Sequence, residues 1–175
     1  RPPGHHATAD MYGGYCFINN AALVAEAFRR DGAGRVAVLD IDFHHGNGTQ
    51  DIFYGRGDVF FASLHGAPED AFPYFLGFAD ETGEGEGEGT TANYPMLPGT
   101  GYGPWSDALE DAIARIRRFG AEALETAAFT IFLYARMVGC AAEADDHLNR
   151  GRNMDTRMAA SACSFSSRRM KDETS

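Results

Sequence analysis

Residues 38–48 read Val38-Leu39-Asp40-Ile41-Asp42-Phe43-His44-His45-Gly46-Asn47-Gly48, and this stretch decides the fold. The apolar run Val36-Ala37-Val38-Leu39 is short enough for a buried parallel strand, with Gly34 before it and Gly46 and Gly48 after it as punctuation. An apolar strand running straight into two carboxylates and two imidazoles has the composition of a metal site at a strand end. Asp42 and His44 stand at i and i+2, a spacing that on extended backbone points both side chains to one side. A carboxylate and an imidazole presented together are two ligands of a zinc-type site, which in catalytic proteins takes three protein ligands and leaves one position open. Singly, each residue also reads as a hydrogen-bonded loop residue; four of them within residues 40–45 favour the metal reading.

Outward from this stretch the chain alternates helices and strands. Residues 19–30 carry Ala22, Leu23, Ala25, Ala27 and Phe28 behind an Asn cap and stop at Asp31-Gly32, which predicts a helix. A strand over 35–41, a short helix near 49–54 and a second strand over 58–64 follow. Pro104 to Leu124 reads as the clearest helix, with Trp105, Leu109, Ala112, Ile113, Ile116 and Ala123 on one face and Arg115, Arg117 and Arg118 mostly off it. Such alternation predicts an α/β fold with a mainly parallel sheet and ligands at the carboxyl ends of strands. Two or three strands are few for such a sheet, so the fold is expected to be incomplete in this chain. The run Glu84-Gly85-Glu86-Gly87-Glu88-Gly89 reads as a mobile, solvated loop.

The chain opens Arg1-Pro2-Pro3-Gly4-His5-His6, where Pro3 and Gly4 predict a turn that exposes two adjacent imidazoles. Neutral imidazole titrates near working pH, and a carboxylate on its far nitrogen would fix the tautomer and raise basicity, which suits a general base. Asp40 is a candidate for that carboxylate. A flexible terminal segment is the competing reading of His5 and His6.

The segments RPPGHHA (1–7), GGYCFINNAA (13–22), VLDIDFHHGNGTQDIFY (38–54), FFASLHG (60–66) and TTANYP (90–95), in this order, closely resemble the histone deacetylase superfamily, and within it the bacterial acetylpolyamine amidohydrolases. The resemblance covers residues 1–124 and implies an arginase-like α/β fold, a catalytic zinc, and hydrolysis of an acetyl amide on a lysine or polyamine. It places Asp42 and His44 as zinc ligands and His5 and His6 as the catalytic pair, His5 backed by Asp40 and His6 by Asn47. Many family members carry Asp where Asn47 stands, so a neutral amide there leaves His6 less basic. Gly14 and Tyr15 match one wall of the acyl-chain tunnel and Phe72 the other; aromatic walls suit a methylene chain with a cationic head, although both aromatics also read as core. The resemblance further implies a potassium ion held by Asp40, Asp42, Ser63 and the carbonyls of His44 and Leu64, and a second cation at the Phe53 and Val59 carbonyls.

The family's third zinc ligand, an aspartate in a G-x-D segment, and its oxyanion donor, a tyrosine in a late GGY segment, do not occur here. Composition changes where the resemblance stops: residues 1–124 hold 8 basic and 18 acidic residues, and residues 125–175 hold 7 of each, with four of the six Met and two of the three Cys. The chain therefore reads as a partial deacetylase domain over 1–124 followed by a non-matching tail over 125–175, frameshifted or disordered.

Three functions compete: a zinc amidohydrolase acting on acetylpolyamine or acetyl-lysine, impaired in this chain; a manganese ureohydrolase, which would need a closing carboxylate that Asp42-Phe43-His44-His45-Gly46 lacks; and an inactive metal-binding or partner-binding fragment. The net charge of −10 argues against nucleic acid and suits a small cationic acetylated amine or an acetyl-lysine peptide. No run of apolar residues reaches membrane-spanning length. Cys16, Cys140 and Cys163 are odd in number and widely spaced, which predicts reduced thiols and, with no visible signal peptide, a cytoplasmic protein. The resemblance also suggests a homodimer.

Overall fold

The computed structural model describes residues 4–127. Arg1–Pro3 and residues 128–175, with Cys140, Cys163 and most of the expected tail, lie outside the described residues. Helix α1 (Asn20–Arg30) begins where the Asn19 side chain accepts the Ala22 N–H and ends at Asp31. Strand β1 (Val36–Asp40), helix α2 (Asn47–Phe53) and strand β2 (Val59–Gly66) follow. Strand β3 (Thr91–Met96), helix α3 (Tyr102–Phe119) and strand β4 (Ala123–Ala127) complete the described elements.

The four strands form one parallel sheet in the order β3-β2-β1-β4. Every residue of β1 and β2 is buried, on both faces, as expected of a parallel sheet covered on both sides. On one face Val36, Val38, Val59 and Phe61 pack with Ala21, Ala22 and Ala25 of α1 and Phe53 of α2. On the other, Phe60 meets Phe119 of α3, with ring centroids 5.4 Å apart. Each fully buried Val or Phe contributes about 1.5–3 kcal/mol, and this packing fixes the strand ends that carry the site.

Four expectations are corrected. Helix α3 stops at Phe119, because Gly120 takes a left-handed conformation (φ 77°) and its N–H caps the Arg117 and Ile116 carbonyls. The Glu122 N–H then bonds the Arg35 carbonyl (2.8 Å), and Ala123 and Leu124 run as a strand beside Val36 and Ala37. The sheet has four strands among the described residues, not two or three, the fourth being β4 beside β1. The glycine-alternating run is ordered: Gly85–Gly87 forms a 3-10 turn with Gly87 buried, and the Glu84 N–H bonds the Tyr54 carbonyl (3.0 Å). Finally, β1 ends at Asp40, so Asp42 and His44 are not on extended backbone. Asp40 Oδ1 accepts the Asp42 N–H (3.0 Å) and Asp42 Oδ1 accepts the His44 N–H (2.9 Å), two successive side-chain turns that bend the chain out of the strand.

Candidate metal centre and histidine pair

That bend brings Asp42 and His44 together. His44 Nδ1 lies 3.5 Å from Asp42 Oδ1, with the carboxylate buried and the imidazole 44% exposed. Two donors of a tetrahedral zinc with bonds of about 2.0–2.2 Å stand roughly 3.4 Å apart, so this oxygen and nitrogen fit such an ion. Among the described residues no cluster of three or more His, Cys, Asp and Glu that could hold a metal ion forms, and Asp42 and His44 are the candidate pair. Burial disfavours charge on Asp42, but the hydrogen bonds from His44, with the nearby charges of His5 and His44, outweigh it and lower its pKa.

The histidine pair sits beside this bend, and both residues are buried. N–H groups in the first turn of α2, from Gly48 and Thr49, hold the His5 carbonyl at 2.8 and 3.1 Å, so the helix that follows the Asp42–His44 bend also fixes the pair. The His5 ring donates from Nδ1 to Asp40 Oδ2 (2.6 Å), and its Nε2 lies 4.0 Å from Asp42 Oδ1. The His6 ring donates from Nδ1 to Asn47 Oδ1 (2.7 Å). The two rings are 4.1 Å apart. A Cβ on Gly46 would lie 2.4 Å from Asp40 Oδ2 and 3.3 Å from His5 Nδ1, so the dyad needs glycine there. Burial works against a charged His5, yet the charge and hydrogen bond of Asp40 prevail and raise its pKa. Burial and the neighbouring His5 push His6 down to about 4, which the neutral Asn47 bond does not offset.

Two walls flank His6. Phe72 stands edge-on to it at 4.9 Å and to His44 at 6.4 Å. A Cβ on Gly14 would lie 2.2 Å from His6 Cδ2, so the Gly13–Cys16 turn presses directly on the ring. Tyr15 (φ 63°) is fully exposed and Phe72 is 38% exposed, so neither is core. Ser63 lies opposite Asp40 in the β1–β2 register, both fully buried, and Leu64 follows it. The Ser63 hydroxyl bonds His65 Nδ1 (2.9 Å). Phe53 closes α2 and Val59 opens β2, on the far side of the sheet's length from Asp40. Sequence reasoning missed a polar cluster of buried His45, Gln50, His65 and Asn93 with half-buried Glu81; polar Ser63 and His65 inside the apolar run Val59–Gly66 were its visible signal.

Residues 1–129 match the family described as Histone deacetylase domain. Over 124 residues the chain is 68% identical to an acetylpolyamine amidohydrolase of Mycoplana ramosa and 61% identical to acetylpolyamine amidohydrolase 1 of Pseudomonas aeruginosa. Each match covers 71% of this chain and 36% of the relative, so the chain spans about a third of those proteins' length. The crystal structure of acetylpolyamine aminohydrolase from Burkholderia pseudomallei superposes with a TM-score of 0.69 at 48% identity, covering 72% of this chain and 36% of that one. An HDAC homologue from Aquifex aeolicus gives 0.68 at 37% identity over 71% and 34%. The fold is that of the deacetylases, and the chain belongs to the histone deacetylase domain family.

Proposed function

We propose that this chain carries part of the active site of a zinc-dependent amidohydrolase that removes acetyl groups from acetylated amines. The observation that supports it most is the juxtaposition of the Asp42–His44 pair with two histidines whose partners shift their pKa in opposite directions. Zinc, held by Asp42 and His44, would polarise the amide carbonyl and acidify a water. His6, neutral at working pH and with its Nδ1 proton committed to Asn47, offers Nε2 as the base that takes the water's proton. His5, whose pKa the Asp40 carboxylate raises, is the group that delivers a proton to the departing amine. Phe72 and the Gly14-Tyr15 turn form the slot for the methylene chain, and the acidic surface favours a cationic substrate, an acetylated polyamine or an acetyl-lysine peptide. Asp40, Asp42, Ser63 and the His44 and Leu64 carbonyls are proposed as a potassium site that stiffens the bend, and a homodimer as the assembly.

A second reading, a chain that binds metal without turnover, is favoured by the presence of only two donors among the described residues. Zinc titration by competition with a chromogenic chelator, followed by assay on an N-acetylated diamine, separates the two. Deacetylation with about one zinc per chain, lost in His44→Ala, is expected of the first. Zinc-dependent turnover persisting in His44→Ala refutes the ligand assignment, and metal binding without turnover selects the second reading. No helix among the described residues is long and apolar enough to cross a membrane.

A further inference from the structure

Between Phe72 and the sheet lies a loop that hydrophobic burial does not hold. Phe72, Tyr74, Phe75 and Leu76 are 38, 54, 84 and 39% exposed, and the loop is anchored on one side by buried Ala71 and Pro73 and on the other by buried Gly77. Gly77 is gripped at both ends of its peptide unit. Its N–H donates to Glu81 Oε2 (2.9 Å), and its carbonyl accepts from His65 Nε2 (2.9 Å). It packs so closely on the His45 and His65 rings that a Cβ would lie 2.6 Å from His65 Nε2 and 2.9 Å from His45 Cγ, and its φ of 104° excludes other residues as well.

The same Glu81 oxygen accepts Gln50 Nε2 (2.6 Å) and, at 3.4 Å, Asn93 Nδ2. Gln50 Oε1 in turn accepts from His45 Nε2 (3.0 Å) and Asn93 Nδ2 (2.8 Å). Gln50, Asn93, His45 and His65 are buried, where an amide or imidazole without its partner costs free energy, so the chain of bonds is held as a unit. It joins the Phe72 loop to α2, to β3 and to His45, the residue next to His44.

We propose that Glu81 is a positioning residue: through Gly77 and Gln50 it clamps the Phe72 loop to the metal bend and so sets the width of the substrate slot over His6 and His44. The consequence for substrate rests on the function proposed above; the clamp itself does not. Nuclear magnetic resonance of the full chain, without metal, tests it in Glu81→Ala, Glu81→Asp and Glu81→Gln. In Glu81→Ala the Gly77 amide is expected to exchange at least about tenfold faster. The His6 ring protons, which sense the Phe72 ring, are expected to shift, while β1 and β2 amides keep their protection. Glu81→Gln, which keeps an acceptor oxygen, is expected to restore both.

Unchanged Gly77 exchange and His6 resonances in Glu81→Ala overturn the proposal, as does a uniform loss of protection across the sheet in all three variants. If Glu81→Ala does not fold, Glu81→Asp decides: it keeps the charge but is too short to reach Gly77 and Gln50 together, and an unaltered Gly77 amide there overturns the clamp. With zinc present, Glu81→Asp is expected to bind an N-acetylated diamine several-fold more weakly at unchanged zinc affinity. An unsubstituted chain that binds no acetylated diamine sinks the functional reading, while the exchange and ring shifts still judge the clamp.

Discussion

Replacing Gly14 by alanine measures how tightly the Gly13–Cys16 turn holds the histidine pair in place. The added Cβ would stand 2.2 Å from His6 Cδ2, 2.6 Å from Cγ and 2.9 Å from Cβ. The ring has little room to retreat, because Nδ1 is held by Asn47 at 2.7 Å, His5 lies 4.1 Å to one side and Phe72 4.9 Å to another. Forcing a methyl into such a site costs about 1–3 kcal/mol, and an L-residue at a φ of 51° adds about 1 kcal/mol. Gly14→Ala should therefore destabilise by roughly 2–4 kcal/mol. Gly99 supplies the control: its φ is 87°, but nothing lies within 4 Å of its Cβ position. Gly99→Ala should cost only the conformational share, about 1 kcal/mol, and both variants lose the same unfolded-chain entropy. Urea unfolding of the two variants gives the difference directly. If Gly14→Ala proves no more costly than Gly99→Ala, the turn does not press on His6 and the close packing of Gly14 on that ring is refuted.

Two further outcomes follow from the buried imidazoles. Asn47→Asp puts a carboxylate where the amide accepts His6 Nδ1, so His6 should titrate roughly 1–3 pH units above its present value of about 4 in a histidine-detected titration; an unmoved His6 would show that burial alone sets its basicity. His65, buried and lowered to about 4 chiefly by desolvation, takes up its proton in the unfolded chain first, so its stabilising share is full above about pH 6.5 and is lost as pH falls toward 4. The loss is about 3 kcal/mol in all. His65→Gln should flatten that part of the urea-midpoint profile, whereas a profile identical to that of the unsubstituted chain would count against it.

What could be read from the chain divides by the range of the interactions. Helix α1 was legible because its start and stop signals, Asn19 and Asp31-Gly32, are local and act on the backbone beside them. Strand β3 was not among the strands read from the sequence; it carries Pro95, which a strand at the edge of the sheet formed by the described residues tolerates. Strand β4 was read as the end of a helix because Ala-Glu-Ala-Leu-Glu favours helix, and pairing with β1 overrides that preference once Gly120 has ended α3. Asp42 and His44 were expected to meet through extended alternation, whereas a double side-chain turn brings them together, a geometry set by the Asp40 and Asp42 carboxylates rather than by the strand. The Glu81 cluster was not legible, since it joins residues 45, 50, 65, 77, 81 and 93, and no local pattern marks which buried polar groups will meet.

The unequal partners of the two histidines bear directly on their division of labour. Rings 4.1 Å apart inside the protein strongly resist both being charged. Two carboxylate partners would pull both toward the cation and leave their order of titration undecided. Here one ring faces a fully buried carboxylate whose other oxygen is already committed to the Asp42 N–H, and the other ring faces an amide. Asp40 therefore raises the pKa of His5 against its burial, while burial and the neighbouring His5 lower that of His6. On the function proposed above one proton must be taken from water and one delivered to the amine, and partners that shift two neighbouring imidazoles in opposite directions suit that division. The single substitution Asn47→Asp removes that asymmetry without touching either ring, and so separates the role of the partners from that of the histidines themselves.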